Sequence, residues 1–380
     1  MPDTLNQIEV TTRRYIDEQP KLRDLVFNKD PLMSFLDENC LDEVNGGSTW
    51  NDNIEYDVQD GGSYSKGQDL PADQRQIEQQ LRFDPKYQTV LIPFYKEDIK
   101  VLNNGPLAVV KLVEERVDSA YMQLGAQTAI QLYLQGQSGN YVKVINGLLE
   151  ALTSGANGNA AAPYNNANAL GWDGNTYPIY GTLTRATYGG RLLTPCPVNF
   201  NGTSITLPVM ETMYQSVNFG SGEYEPNIIL TTAVGLGYIR NNYQTQQRFQ
   251  NVTVGKGGFR GLEYNGAVIM ASRYAPGSYL TANSGTNDRV ATRYLTYTTS
   301  GAVTAYPTGS LSTGESIWFM NARKPQIKYR ISGNAPFNGS LDDDGFIPSA
   351  GNTKIVGKVL LAHNLTVLPG YHTYGYNFQS

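Results

Sequence analysis

Histidine and cysteine are nearly absent: the 380 residues hold two of each. Any Ser-His or Cys-His nucleophile pair must therefore use His363 or His372. Both lie among strand-like apolar and aromatic residues, which favours structural roles. Cys40 and Cys196 are far apart in sequence. Two thiols supply neither a disulfide framework nor a thiolate zinc site, and they fit folding in a reducing compartment. Long apolar runs are missing too. No stretch approaches the roughly 18 residues that cross a bilayer, and MPDTLNQIEVTTRRYIDEQP has no apolar signal-peptide core. The expectation is folding in the cytoplasm, with no membrane partner.

Charge is sparse. Charged residues make up 17% of the chain, the net charge is −5, and the pI is about 5.2. That balance lacks the clustered cations of a tight nucleic-acid binder. No nucleophile elbow, phosphate loop or dinucleotide fingerprint appears. GKGGFRG (255–261) is glycine-rich, but it follows a polar segment and opens a hairpin, so it does not match a phosphate cradle. LDDDGF (341–346) lacks the ligand spacing and closing Glu of a calcium loop and reads as an acidic surface turn. The sequence gives no positive sign of an enzyme, a metal or a cofactor.

What is abundant is Gly, Asn, Gln, Ser, Thr and above all Tyr, which occurs 26 times. Uncharged polar residues with Tyr suit broad, wet contact surfaces, where Tyr offers an apolar body and a polar tip. Their distribution is uneven. Residues 46–85 form a long polar stretch, and loops beyond about 15 residues are uncommon unless functional or disordered. Within it Ile54, Tyr56 and Val58 alternate with polar neighbours, and YQTVLIPFYK (87–96) is rich in β-branched and aromatic residues; both read as strands. The expected structure is a long β-hairpin between them, with its tip near Gly61-Gly62. A lone hairpin is marginal in water, so a partner subunit is expected to cover it.

A helix follows. Pro106 suits a first helical position, and Val110, Val113, Val117, Tyr121, Leu124, Thr128 and Leu132 form one stripe at helical spacing up to Gly136. Short helices are expected over 31–40, 142–152 and 207–219, and a strand running into a helix over 227–249. A hairpin is expected about Asn265-Gly266, with strand-like segments over 317–332 and 353–376. This order is an α+β plan.

The succession of PLMSFLDENC, GGSTWNDNIEYDV, LIPFYKEDIKVLNNGP, VKLVEERVDSAYMQLGAQTAIQLYLQG, VINGLLEAL with YGTLTRATYGG, NIILTTAVGLGYIRNNYQTQQRF, GFRGLEYNGAVIMASRYAP and IWFMNARKP resembles the major capsid proteins of tailed bacteriophages, with the Hong Kong 97-type fold. The resemblance implies an N-terminal arm and start of a peripheral domain over 1–47 and an extended loop over 48–97. It implies a spine helix over 98–140 and an axial domain over 141–316, with an inserted loop at 277–315. Returning strands of the peripheral domain and a C-terminal segment would occupy 317–380. It also implies many copies joined in pentamers and hexamers, in an icosahedral virion shell enclosing double-stranded DNA and assembled in a bacterial cytoplasm. The arm would reach another subunit and the extended loop would lie over a neighbour.

On that basis the intersubunit contact candidates are Trp50, Ile54, Tyr56, Tyr64, Lys66, Leu70, Arg75, Leu81 and Phe83. Arg13 and Arg14 are the candidates for touching DNA on the inner face. Some members of the family join a loop lysine to a neighbour's Asn, and Lys66 is the only lysine between Lys29 and Lys86. About 30 residues precede Pro31, so a fused scaffold segment is absent or was removed, and a separate scaffolding protein is expected, with a portal and, through 277–315, a decoration protein. The other reading is a fibre or virion protein with a carbohydrate-binding β surface, against which the amphipathic helix speaks.

Overall fold

The computed structural model describes residues 4–18, 26, 30–57, 61–68, 76–97, 106–137, 142–153, 171–185, 187–188, 197–218, 224–243, 251–254, 259–278, 314–334, 338–348 and 353–379. The long helix runs over Pro106–Gln131, five residues short of the Gly136 expected to end it. Its 26 residues span about 39 Å. Val113, Val117, Tyr121, Leu124 and Thr128 are buried, as the stripe requires.

That stripe lies against strand β4 (Lys86–Tyr95), which precedes the helix in the chain and follows β1 (Leu41–Val44), β2 (Trp50–Glu55) and β3 (Glu78–Phe83). A polar lock fixes helix against strand: Gln88 Nε2 donates to Gln127 Oε1 and Thr128 Oγ1 donates to Gln88 Oε1, both at 3.0 Å. These groups are buried, so each needs its partner.

β4 belongs to a five-stranded sheet built on β15 (Lys354–Val367). One edge of β15 pairs with β4 over residues 354–363. Its other edge pairs with β14 (Asn338–Pro348) and then with β13 (Ile327–Ser332), to which β1 adds in parallel. A seven-stranded sheet has the order β7-β16-β12-β8-β11-β10-β9. Here β7 is Val198–Asn199, β8 Ile228–Thr231, β9 Asn251–Val254, β10 Phe259–Tyr264, β11 Ala267–Ala271, β12 Glu315–Met320 and β16 Thr373–Phe378. The expected hairpin about Asn265-Gly266 joins β10 and β11, and both turn residues take positive φ (46° and 80°), as a tight two-residue turn demands.

Every residue of β8 and β12 is buried, so these strands are covered on both faces. Alternate side chains serve separate cores. Ile229, Ile317 and Phe319 pack with Met210, Met213 and Ile239 from the helices Leu207–Val217 and Ala233–Tyr243. Leu230, Trp318 and Met320 point the other way, towards Tyr133, Leu149 and Tyr374.

The segment 317–380, expected to return as one group, instead divides between the sheets. β12 and β16 lie in the seven-stranded sheet, and β13 to β15 lie in the five-stranded one. The two crossings run side by side, with Leu368 N donating to Gln326 O at 2.8 Å. His372 bridges them: its Nδ1 accepts from Asn321 N at 3.1 Å and its Nε2 lies 3.4 Å from Gln326 O. His363 joins β15 to β13 through Tyr329 OH at 2.8 Å. Burial pushes both imidazoles down to about 3, in keeping with structural roles.

The N-terminal arm is helical. Its helix, Thr4–Glu18, lies on its own chain. Tyr15 OH donates to Asp118 Oδ1 on the long helix at 3.0 Å. Arg13 pairs with Glu9 and donates to the carbonyls of Asp342 and Asp343 in β14. Arg13 is thus engaged in the fold while still partly exposed, and Arg14 is exposed. The acidic turn 341–346 is a bulged part of β14. Cys196, Leu70, Arg75 and residues 279–313 of the expected insertion lie outside the described residues.

Candidate functional site

The polar stretch does form a hairpin, but not with the expected partner. β2 pairs with β3, in register from Trp50↔Phe83 to Glu55↔Glu78. Residues 87–96 belong to β4, in the five-stranded sheet. β2 alternates buried and exposed residues throughout, with Trp50, Asp52 and Ile54 inward. One strand position therefore places a carboxylate on an apolar face, where a charge requires a partner.

Two cations meet it. Arg330 Nη2 donates to Asp52 Oδ1 at 2.9 Å, and Lys328 Nζ contacts the same oxygen. Arg330 Nε also reaches Asp42 Oδ2 on β1 at 3.3 Å. Because Lys328 and Arg330 both lie on β13, the pairing fastens the hairpin root across the five-stranded sheet.

The other side of the root is covered by the same chain. A small hairpin, β5 (Ile179–Tyr180) with β6 (Leu183–Thr184), turns through Gly181 (φ 52°) and Thr182 (φ 72°). Gly181 O accepts from Arg82 N at 2.9 Å. A Cβ on Gly181 would lie 2.8 Å from both Leu81 and Phe83, so only glycine allows this approach. Phe83 meets Tyr180 edge-on at 5.2 Å, and Tyr56 meets Tyr188 in the same way at 5.2 Å.

The small hairpin is held in turn by a buried hub. Arg185 donates to the carbonyls of Glu150, Ala151 and Tyr177, and its guanidinium sits over the Tyr180 ring. The Glu150 carboxylate accepts from Gly136 N, Gln137 Nε2 and Asn146 Nδ2. Burial raises the Glu150 pKa, while these donors and Arg185 oppose the rise. Contacts thus run from the end of the long helix through Glu150, Arg185 and Tyr180 to Phe83.

The nine contact candidates fall into three groups. Trp50, Ile54, Leu81 and Phe83 are at most 5% exposed, covered by their own chain. They are root-packing residues, a correction that follows from the small hairpin. Tyr56 is half-buried against Tyr188, while Tyr64 and Lys66 are exposed on a tip, 61–68, that is exposed throughout. Leu70 and Arg75 lie outside the described residues. Reading the residues for contacts missed Asp52, Arg330, Arg185 and Glu150. Asp52 had a signal: an acid in register with Trp50 and Ile54 calls for a buried cation. The Arg185 hub had none, since its acceptors are mostly backbone carbonyls.

No protein-family model matches the sequence, and no curated protein is similar to it. Solved structures are similar in fold. The capsid of cyanophage A-1(L) is similar with a TM-score of 0.56 at 12% identity, over 92% of this chain and 93% of that one. The holo-SrpI encapsulin of Synechococcus elongatus PCC 7942 gives 0.52 at 10% identity, over 92% and 89%. The capsid of a native GTA particle gives 0.51 at 9% identity, over 91% and 90%. Similar to these structures over about nine-tenths of its length, the chain has the α+β Hong Kong 97-type fold of phage capsid proteins.

Proposed function

We propose that the chain is a shell-forming structural protein, the major capsid protein of a tailed phage, assembling through pentamers and hexamers around double-stranded DNA. The observation that carries the reading is the hairpin itself. Its root is fastened on two sides by its own chain, while its tip is exposed throughout. A protein that anchors so long an excursion and leaves its end bare gains buried area only by meeting another molecule. Standard interfaces bury roughly 1,200 to 2,000 Å², and a shell repeats such contacts many times. In this reading the five-stranded sheet and long helix form the peripheral part, and the seven-stranded sheet forms the axial part. Tyr56, Tyr64, Lys66, Leu70 and Arg75 remain the contact candidates. Arg13 and Arg14 are the inner-face candidates, and scaffolding, portal and decoration proteins are the partners. No catalytic role is assigned.

The test is electron microscopy of the purified chain with light scattering for mass, alone and with cell lysate. Closed shells, tubes or capsomers of five or six copies support the reading. A compact trimer with nothing larger overturns it in favour of a fibre protein. A second reading, a compartment shell without a genome, is favoured by the net charge of −5, since phosphate affinity needs clustered cations. Nuclease-protected DNA inside purified particles separates the two.

A further inference from the structure

An asparagine followed by glycine is prone to modify itself, because glycine lets the next backbone nitrogen reach the side-chain amide. The chain has seven Asn-Gly steps, and those at Asn104 and Asn157 lie outside the described residues. The fold restrains four of the other five. Asn146 is buried, with its amide nitrogen donating to Glu150 at 2.8 Å and its amide oxygen accepting from Asn364 Nδ2 at 2.9 Å. Gly202 N, the atom that would attack Asn201, donates to Asn377 O at 2.7 Å. Asn265 Nδ2 donates to Glu211 Oε2 at 2.9 Å, in a turn closed by β10 and β11. Asn338 is paired with Leu361 in β14, and the carbonyl of Gly339 accepts from Tyr121 OH.

Asn45 is held by nothing comparable. It stands exposed in the link between β1 and β2, outside any helix or strand. Neither its amide nor the Gly46 N–H has a hydrogen-bond partner among the described residues. Gly46 and Gly47 have φ of 83° and 98°, and a Cβ on Gly46 would meet nothing within 4 Å, so the approach is open. A cavity of about 340 Å³, lined by Gly46, Trp50, Tyr87 and Ser332, gives water room at the same place.

We propose that Asn45 is a self-modification site, which converts to isoaspartate and aspartate as the protein ages and so loosens the hairpin root. The Gly46 nitrogen attacks Asn45 Cγ and gives its proton to a solvent base. A new N–C bond closes a succinimide, and the amide nitrogen leaves as ammonia. Water then opens the ring. Opening at Cγ gives aspartate, and opening at the main-chain carbonyl gives isoaspartate, which inserts a methylene into the main chain. The link that lengthens lies between two fixed points. Before it, Val44 O accepts from Gly333 N at 3.0 Å; after it, Asp52 is paired with Lys328 and Arg330. The proposal is independent of the shell reading.

The test uses the full chain, aged for weeks in warm, mildly alkaline buffer, digested in acid and read by peptide mass spectrometry. An isoaspartate-specific methyltransferase is the second probe. The mass gain of amide-to-acid conversion should appear first at Asn45. Its rate should exceed those at Asn146, Asn201, Asn265 and Asn338 at least about fivefold, the cost of first breaking one hydrogen bond. In denaturing urea the five rates should converge. An unmodified Asn45, equal rates in the folded chain, or the same ranking in urea overturns the proposal. Asn45→Gln, a change at an exposed position, should leave that peptide unmodified. Proteolysis across residues 50–83 should rise with age in the wild type and stay constant in Asn45→Gln. No rise in the wild type, or an equal rise in both, overturns the loosening of the root.

Discussion

The two sheets are built by opposite rules. In the seven-stranded sheet β8 and β12 are buried at every position, and their alternate side chains feed two separate cores. In the five-stranded sheet β4 alternates, one face on the long helix and the other carrying exposed Tyr87, Leu91 and Tyr95. The middle of the first sheet is finished within a single chain. The second is finished on one face only, and the hairpin root covers just the β13 end of its outer face. A sheet left half-covered by its own chain is where a larger assembly has something to gain.

The strongest way to disturb this contrast is acid, because the histidines hold the five-stranded sheet and its junction with the other. Both folded-state values lie near 3, below the ordinary imidazole range. Their contribution is present above about pH 6.5 and is lost as pH falls towards 3, at about 1.4 kcal/mol per unit for each group. Urea midpoints measured from pH 8 to pH 4 should fall steeply below 6.5. Asp30 acts with the opposite sign. Burial pushes it up to about 7, so its contribution is present below about pH 4 and lost as pH rises through 7. Asp30→Asn should flatten the upper part of the same curve.

Next in size is Trp318→Ala, which empties a fully buried site stacked on Tyr374 at 4.4 Å. A loss of about 4 kcal/mol is expected by chemical denaturation. Asp52→Ala should cost the subunit about 3 kcal/mol, since it takes the buried carboxylate away from Lys328 and Arg330 and leaves the Arg330 guanidinium with the more exposed Asp42, and should raise proteolysis across residues 50–83 before the core is cut. The smallest effect sharpens the contrast most. Leu91→Ser on the bare face should change subunit stability by no more than about 0.5 kcal/mol, yet reduce particle yield. A large stability loss there would mean that the face is already covered within the chain.

Much of this plan was legible in the sequence where local rules act alone. The stripe from Val113 to Thr128, the Asn265-Gly266 turn and the strand-to-helix passage at 228–243 need only their own neighbours. The hairpin partner was not legible. EQQLRF offers just Leu81 and Phe83 as apolar residues, whereas YQTVLIPFY has the stronger strand signal and is claimed by β15 instead. The covering of the root was hidden as well, because Gly181 and Tyr180 lie about 100 residues beyond the strands they meet. The split of 317–380 depends on where the chain changes sheet, and strand periodicity is blind to that.

The root of the hairpin is gripped from both sides, by Gly181 closing on Leu81 and Phe83 and by Asp52 fastened to β13. Mechanically it is a beam clamped at one end. Bending is resisted along the paired ladder, from Trp50 with Phe83 out to the hydrogen bond from Tyr56 N to Ile77 O. A load applied at the exposed tip would then be passed through the root to a fixed base in the five-stranded sheet.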